Sequence, residues 1–123
     1  MSWPYKNFKP EEFACTHCGA IGIDERVVAK LQQLRDAYGK PIVVTSGYRC
    51  PEHPAEKHKS EPGTHALGLA ADISCSRGDA YQLLKLALEL NFKGIGVQQK
   101  GAGRFLHLDV AEDGFTRPTV WSY

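Results

Sequence analysis

The sequence predicts an α+β fold, with a small, mostly antiparallel sheet carrying its helices on one side. Three observations point there. Two stretches repeat apolar residues at helical spacing, four short stretches are apolar and β-branched or alternate in polarity, and a glycine-bearing connection joins the last two. The order α-β-β-α-β-β, ending in a hairpin, favours helices segregated to one face of an antiparallel sheet. With 123 residues, 42% of them hydrophobic, one domain spanning 1–123 is expected, and no repeat or linker interrupts it.

Residues 24–38, "DERVVAKLQQLRDAY", place Val27, Val28, Leu31, Leu34 and Tyr38 on one helical face. Asp24 can cap the start, and Gly39 ends the helix before Pro41. "PIVVTS" at 41–46 is short and β-branched, which predicts a strand. Three prolines and many charges mark 50–64 as a surface loop. "LAADIS" at 69–74 reads as a buried strand. A second helix is expected over 78–91, with Tyr81, Leu84 and Leu88 on its apolar face. "GIGVQQ" and "RFLHLDV" flank "KGAG" as a hairpin.

Composition excludes several function classes. A net charge of +1 leaves no electrostatic footprint for nucleic acid or an anionic membrane surface. No apolar run approaches the roughly 20 residues of a membrane span. The start, "MSWPYKNFKPEEF", lacks the basic and apolar regions of a signal peptide, so synthesis in the cytoplasm is expected, with release by lysis or a dedicated pore left open. The four cysteines include Cys15 and Cys18 in "CTHCG", with Cys50 and Cys75 further on. Three readings stand: free thiols, a disulfide from the Cys15/Cys18 pair to Cys50, or a zinc site of Cys15, Cys18, Cys50 and a nearby histidine. The missing second C-x-x-C weighs against the last. A redox or structural protein built on "CTHCG" would depend more on Cys15 and Cys18 than on any histidine.

"GTHALGLAADI", 63–73, sets His65 and Asp72 seven positions apart in almost apolar surroundings. Along a helix seven residues rise about 10.5 Å. Along a strand they span roughly 23 Å and end on opposite faces. The two groups can share an ion only if the chain bends between them, and Gly68 is the residue that permits it. In "FLHLDV", alternation sends Leu106, Leu108 and Val110 one way and Phe105, His107 and Asp109 the other. His65, Asp72 and His107 are thus candidate metal ligands that would leave a fourth position open. His17, His53 and His58 are not ranked below them by spacing alone.

"SGYRCPEH", "GTHALGLAADI" and "FLHLDV" together resemble the zinc D-alanyl-D-alanine metallopeptidase family, from about Phe8 to Val110. That family includes D,D-carboxypeptidases and L-alanyl-D-glutamate endopeptidases of the bacterial cell wall, and hedgehog signalling domains share its fold. The resemblance implies Zn2+ held by His65, Asp72 and His107. It also implies that Arg49 binds the substrate carboxylate or polarises the scissile carbonyl, a role suited to a permanently charged fork of donors. Ser46 and Tyr48 only shape the site. Where several members carry an acid three residues before the last ligand, this chain has Arg104, so Asp109 is the candidate catalytic base or histidine-orienting partner. The expectation is a monomeric zinc hydrolase of peptidoglycan stem peptides that is released or phage-associated. A non-catalytic zinc-containing wall- or protein-binding module is the alternative. "CTHCG" stands outside the resemblance.

Overall fold

The computed structural model describes residues 3–123. After a 3-10 turn at Pro10–Phe13 come α1 (Glu25–Tyr38), β1 (Val43–Ser46), β2 (Ala70–Ser74), α2 (Arg77–Glu89), β3 (Gly94–Gln98), β4 (Phe105–Asp109) and β5 (Thr119–Ser122). The strands form one sheet in the order β1-β2-β4-β3-β5, antiparallel except where β5 runs parallel to β3. The fold class is α+β, as the pattern predicts. The fifth strand is new: "TVWS" is short and finds its partner some 25 positions back, which local pattern cannot reveal.

The first helix forms where its caps place it. The Asp24 side chain accepts the Arg26 N–H, and Gly39 closes the helix at φ +78°, which only a residue without Cβ adopts cheaply. Val27, Val28, Leu31 and Leu34 are fully buried. The second helix differs from expectation in phase. Tyr81 and Leu88 are 73% and 57% exposed, and Ala80, Leu83 and Ala87 are buried instead. Leucines lie nearly all round this helix, so hydrophobicity alone cannot orient it, and alanines of weak signal take the inner positions. Among the described residues no helix is long and apolar enough to cross a membrane.

Both helices share one core with the inner face of the sheet, where Ala71, Ile73, Ile95, Leu106 and Leu108 join Val27, Leu31, Leu34 and Leu83. Strand register places Ala71 beside Leu108 and Ile73 beside Leu106. The outer face carries a different row: Ser46, Asp72, His107, Gly96 and Trp121 are successive partners across all five strands. Because Ala71 is fully buried opposite Leu108, Ala71→Leu should overpack the core and cost about 1–3 kcal/mol, read by urea denaturation.

Candidate metal centre

Three segments deliver the central side chains. Asp72 and His107 are direct partners on the neighbouring strands β2 and β4. His65 comes from the loop before β2, which turns at Gly68 with φ +73°. A Cβ at Gly68 would strike the Gly22 carbonyl. The bend that the spacing of His65 and Asp72 requires is therefore present, at the glycine expected to make it. One donor atom from each of His65, Asp72 and His107 lies within 4.8 Å of the others, and all three residues are buried.

The hydrogen bonds behind these groups fix what they present. His65 Nδ1–H donates to the Gly47 carbonyl at 2.8 Å, and His107 Nε2–H donates to Asp109 Oδ2 at 2.7 Å. Each imidazole then turns its other nitrogen toward Asp72 Oδ1, at 3.2 Å from His65 Nε2 and 3.3 Å from His107 Nδ1. Lone pairs aimed at one another repel unless a proton or a cation lies among them, and this donor set, two imidazoles and a carboxylate, suits a divalent transition metal. Titration follows the same logic. Burial pushes the Asp72 carboxyl up, but hydrogen bonds with His107 and His65 outweigh it and hold the group well below the usual range. Burial pushes His107 down, and bonds with Asp109 and Asp72 outweigh that and raise it.

Arg49 lies beside this cluster. Its Nε–H donates to Ser46 Oγ at 3.2 Å, and its terminal nitrogens stand 3.5 Å from both Asp72 Oδ2 and Glu56 Oε2. Glu56 is missing from the sequence expectations because a charge-rich loop normally faces water. Here its side chain is 2% exposed and also pairs with Lys59 at 3.1 Å, while Oε1 has no hydrogen-bond partner among the described residues. Arg104 bonds the Gly101 carbonyl in the β3–β4 connection. His17 and His58 are exposed and His53 is half-buried, and none joins the three-residue donor group.

Asp109 lies on the same side of β4 as His107, as expected, but it is sunk beneath the cleft rather than open to it. Its side chain is fully buried and accepts from His107, from the Ala111 N–H and, through both oxygens, from Arg117 at 3.0 and 2.8 Å. The position opposite on β3 is Gly94, where a Cβ would collide with the Asp109 carboxylate and Arg117. The end of the chain also supplies walls that no motif signalled. Trp121 packs on His107 with ring centroids 4.9 Å apart, and Tyr123 packs on Phe105 at 5.3 Å. With Arg49, Lys59 and Arg117 these aromatics line a cleft of about 340 Å³ over the cluster.

Burial raises the Asp109 carboxyl, and the His107 and Arg117 bonds more than offset this, so its folded value lies below the ordinary one. The stability it contributes is complete above the unfolded value of about 3.9 and is lost as pH falls through the folded one. Asp109→Asn, measured with chelator present, should be strongly destabilised at neutral pH. Its deficit against wild type should shrink below about pH 4, in denaturation series across pH.

A family model described as Peptidase M15 matches residues 6–109, and no curated protein matches the chain. The matched span contains His65, Asp72, His107, Asp109 and Arg49, and stops short of Arg117, Trp121 and Tyr123. M15 peptidases depend on a metal ion, and the donor group described above is a candidate to hold one. The chain belongs to the M15 family of metallopeptidases.

Proposed function

We propose that this protein is a zinc-dependent hydrolase of peptide bonds in peptidoglycan stem peptides, acting as a D-Ala-D-Ala carboxypeptidase or an L-Ala-D-Glu endopeptidase. The observation that carries the reading is the meeting of His65 Nε2, Asp72 Oδ1 and His107 Nδ1 at the floor of a cationic, aromatic-walled cleft. His65, Asp72 and His107 would hold the zinc, which when bound would supply Lewis-acid activation of a carbonyl and of water.

The chain's own residues do the rest. Arg49 stays charged and directs N–H donors at an oxyanion or a substrate carboxylate, and Ser46 and Glu56 hold its orientation. Asp109 acts as a positioning residue, because every acceptor direction it has is already engaged. It fixes the His107 tautomer and ring angle. Trp121 and Tyr123 wall the flank of the cleft. Charge also favours an anionic substrate. Arg117 is balanced by Asp109, and Arg49 and Lys59 by Glu56 and Asp72, so a divalent cation held at Asp72 would leave the cleft with net positive charge. Stem peptides carry free carboxylates that suit such a rim.

A second reading has its own support. Asp72 is the one acid lining the cleft among the described residues, and Arg104 stands where several relatives carry a base. A zinc-holding module that binds wall peptide or protein without cutting it would look the same. Zinc-loaded protein given defined stem peptides separates the two by mass spectrometry of the products. Cleavage that His107→Ala abolishes supports the hydrolase, and binding without turnover at any pH supports the module. If the hydrolase reading holds, Arg49→Ala should lower kcat/KM by about 10²–10³-fold with zinc content unchanged. An unchanged rate would reduce Arg49 to an ordinary ion pair.

A further inference from the structure

Away from the cleft, a second group of donors is gathered that the proposed reaction leaves idle. The sulfurs of Cys15, Cys18 and Cys50 lie within 4.8 Å of one another, and all three thiols are free. Two sulfurs would suffice for a disulfide, and a third converging on them serves no purpose in that bond. Nor does apolar packing account for it, since Cys18 is exposed.

The backbone here is built around the first sulfur. Cys15 N–H donates to the Ala20 carbonyl and Gly19 N–H to the Cys15 carbonyl, both at 2.8 Å, with Gly19 at φ +79°. This tight loop returns Cys18 toward Cys15. From the other segment, Cys50 N–H donates to Cys15 Sγ at 3.3 Å, a bond that favours the thiolate, the form in which cysteine ligates metals. His53 follows Cys50 at the same interval that separates Cys15 from Cys18, giving C-x-x-C and C-x-x-H. The His53 ring already reaches into the first loop, with Nε2 3.2 Å from Thr16 Oγ1.

We propose that Cys15, Cys18 and Cys50, with His53 turned in as the fourth donor, hold a structural zinc ion separate from the cleft. Three thiolates and one imidazole make a closed tetrahedral set with no position for substrate. Each thiol releases its proton to solvent on binding, so affinity and folding are coupled. The ion clamps the segment before α1 to the loop after β1. Phe13 and Tyr48 already meet there through a backbone bond of 3.0 Å. Arg49, whose N–H donates to the His65 carbonyl, is the residue next to a ligand, so the clamp steadies the backbone from which it reaches Asp72.

The test is zinc content of the full chain, purified under reducing conditions, with circular dichroism to establish folding. The double variant His65→Ala/His107→Ala should keep one zinc per chain, and its cobalt-substituted form should show intense sulfur-to-cobalt charge-transfer absorption. Cys18→Ser, at an exposed position where no core packing is lost, should abolish that absorption in the same background. In otherwise wild-type protein, Cys18→Ser should leave cleft zinc in place, which separates this assignment from the peptidase reading. His53→Ala should weaken retention against a chelator by about tenfold or more, and unchanged retention would remove it as the fourth donor. A folded double variant that carries no zinc after purification from zinc-supplemented medium would overturn the proposal, as would a disulfide among the three cysteines.

Discussion

The pairing register of β2 against β4 is the constraint on which the site depends. On the helix side it sets Ala71 beside Leu108 and Ile73 beside Leu106, and on the other it sets Asp72 beside His107. Side chains alternate with a period of two, so a slip of one residue would carry Asp72 and His107 into the core and expose the apolar set. Burying an unpartnered carboxylate there costs far more than any local contact could return. The hydrophobic contacts that stabilise the sheet thereby also specify which polar atoms meet on its far face. No separate scaffold is needed for two of the three donors.

The third donor and the outer hydrogen bonds depend on chain outside the sheet's centre. His65 is held through Nδ1 by a carbonyl just past β1, and His107 through Nε2 by Asp109. Asp109 is tolerable at zero exposure because Arg117 meets both its oxygens and Gly94 leaves space for the carboxylate. The cluster is thus layered. Inner donors face one another, middle groups fix the rings, and a cation from beyond the last central strand neutralises the middle layer. Removing Arg117 would disturb His107 without touching it.

Much of this was legible in the sequence, and the limits have physical causes. The elements α1, β1, β2, β3 and β4 follow from caps, β-branching and alternation, and their ends fall within two residues of expectation. Gly68 could be identified as the bend because neither regular element brings residues seven apart together. What escaped was non-local. The phase of α2 depends on which face meets the core, and a helix with leucine on most sides does not declare it. β5 is a four-residue edge strand paired in parallel across a long interval. Glu56 sits in a stretch whose composition reads as solvated, and its burial goes with ion pairs to Lys59 in the same loop and to Arg49 at the exit of β1. The side of β4 on which Asp109 lies was correct, but alternation says nothing of depth, which Gly94 and Arg117 decide.

The segment Ser46–Cys50 joins these layers into one device. Ser46 opposes Asp72 across the β1–β2 pair and accepts from Arg49. Gly47 offers its carbonyl to His65, and its lack of a Cβ is required because one there would strike the Phe13 backbone. Arg49 reaches Asp72 and Glu56, and Cys50 meets Cys15. Four of these five consecutive residues therefore contact the cleft donors, their cationic neighbour or the thiol cluster. A shift of this segment by even an ångström would change the His65 tautomer contact and the Arg49 approach together. Burial of Gly47 and Cys50 on one side and the β1–β2 pairing on the other leave it little freedom to move. The short exit from β1, rather than any single ligand, is the element that both clusters share.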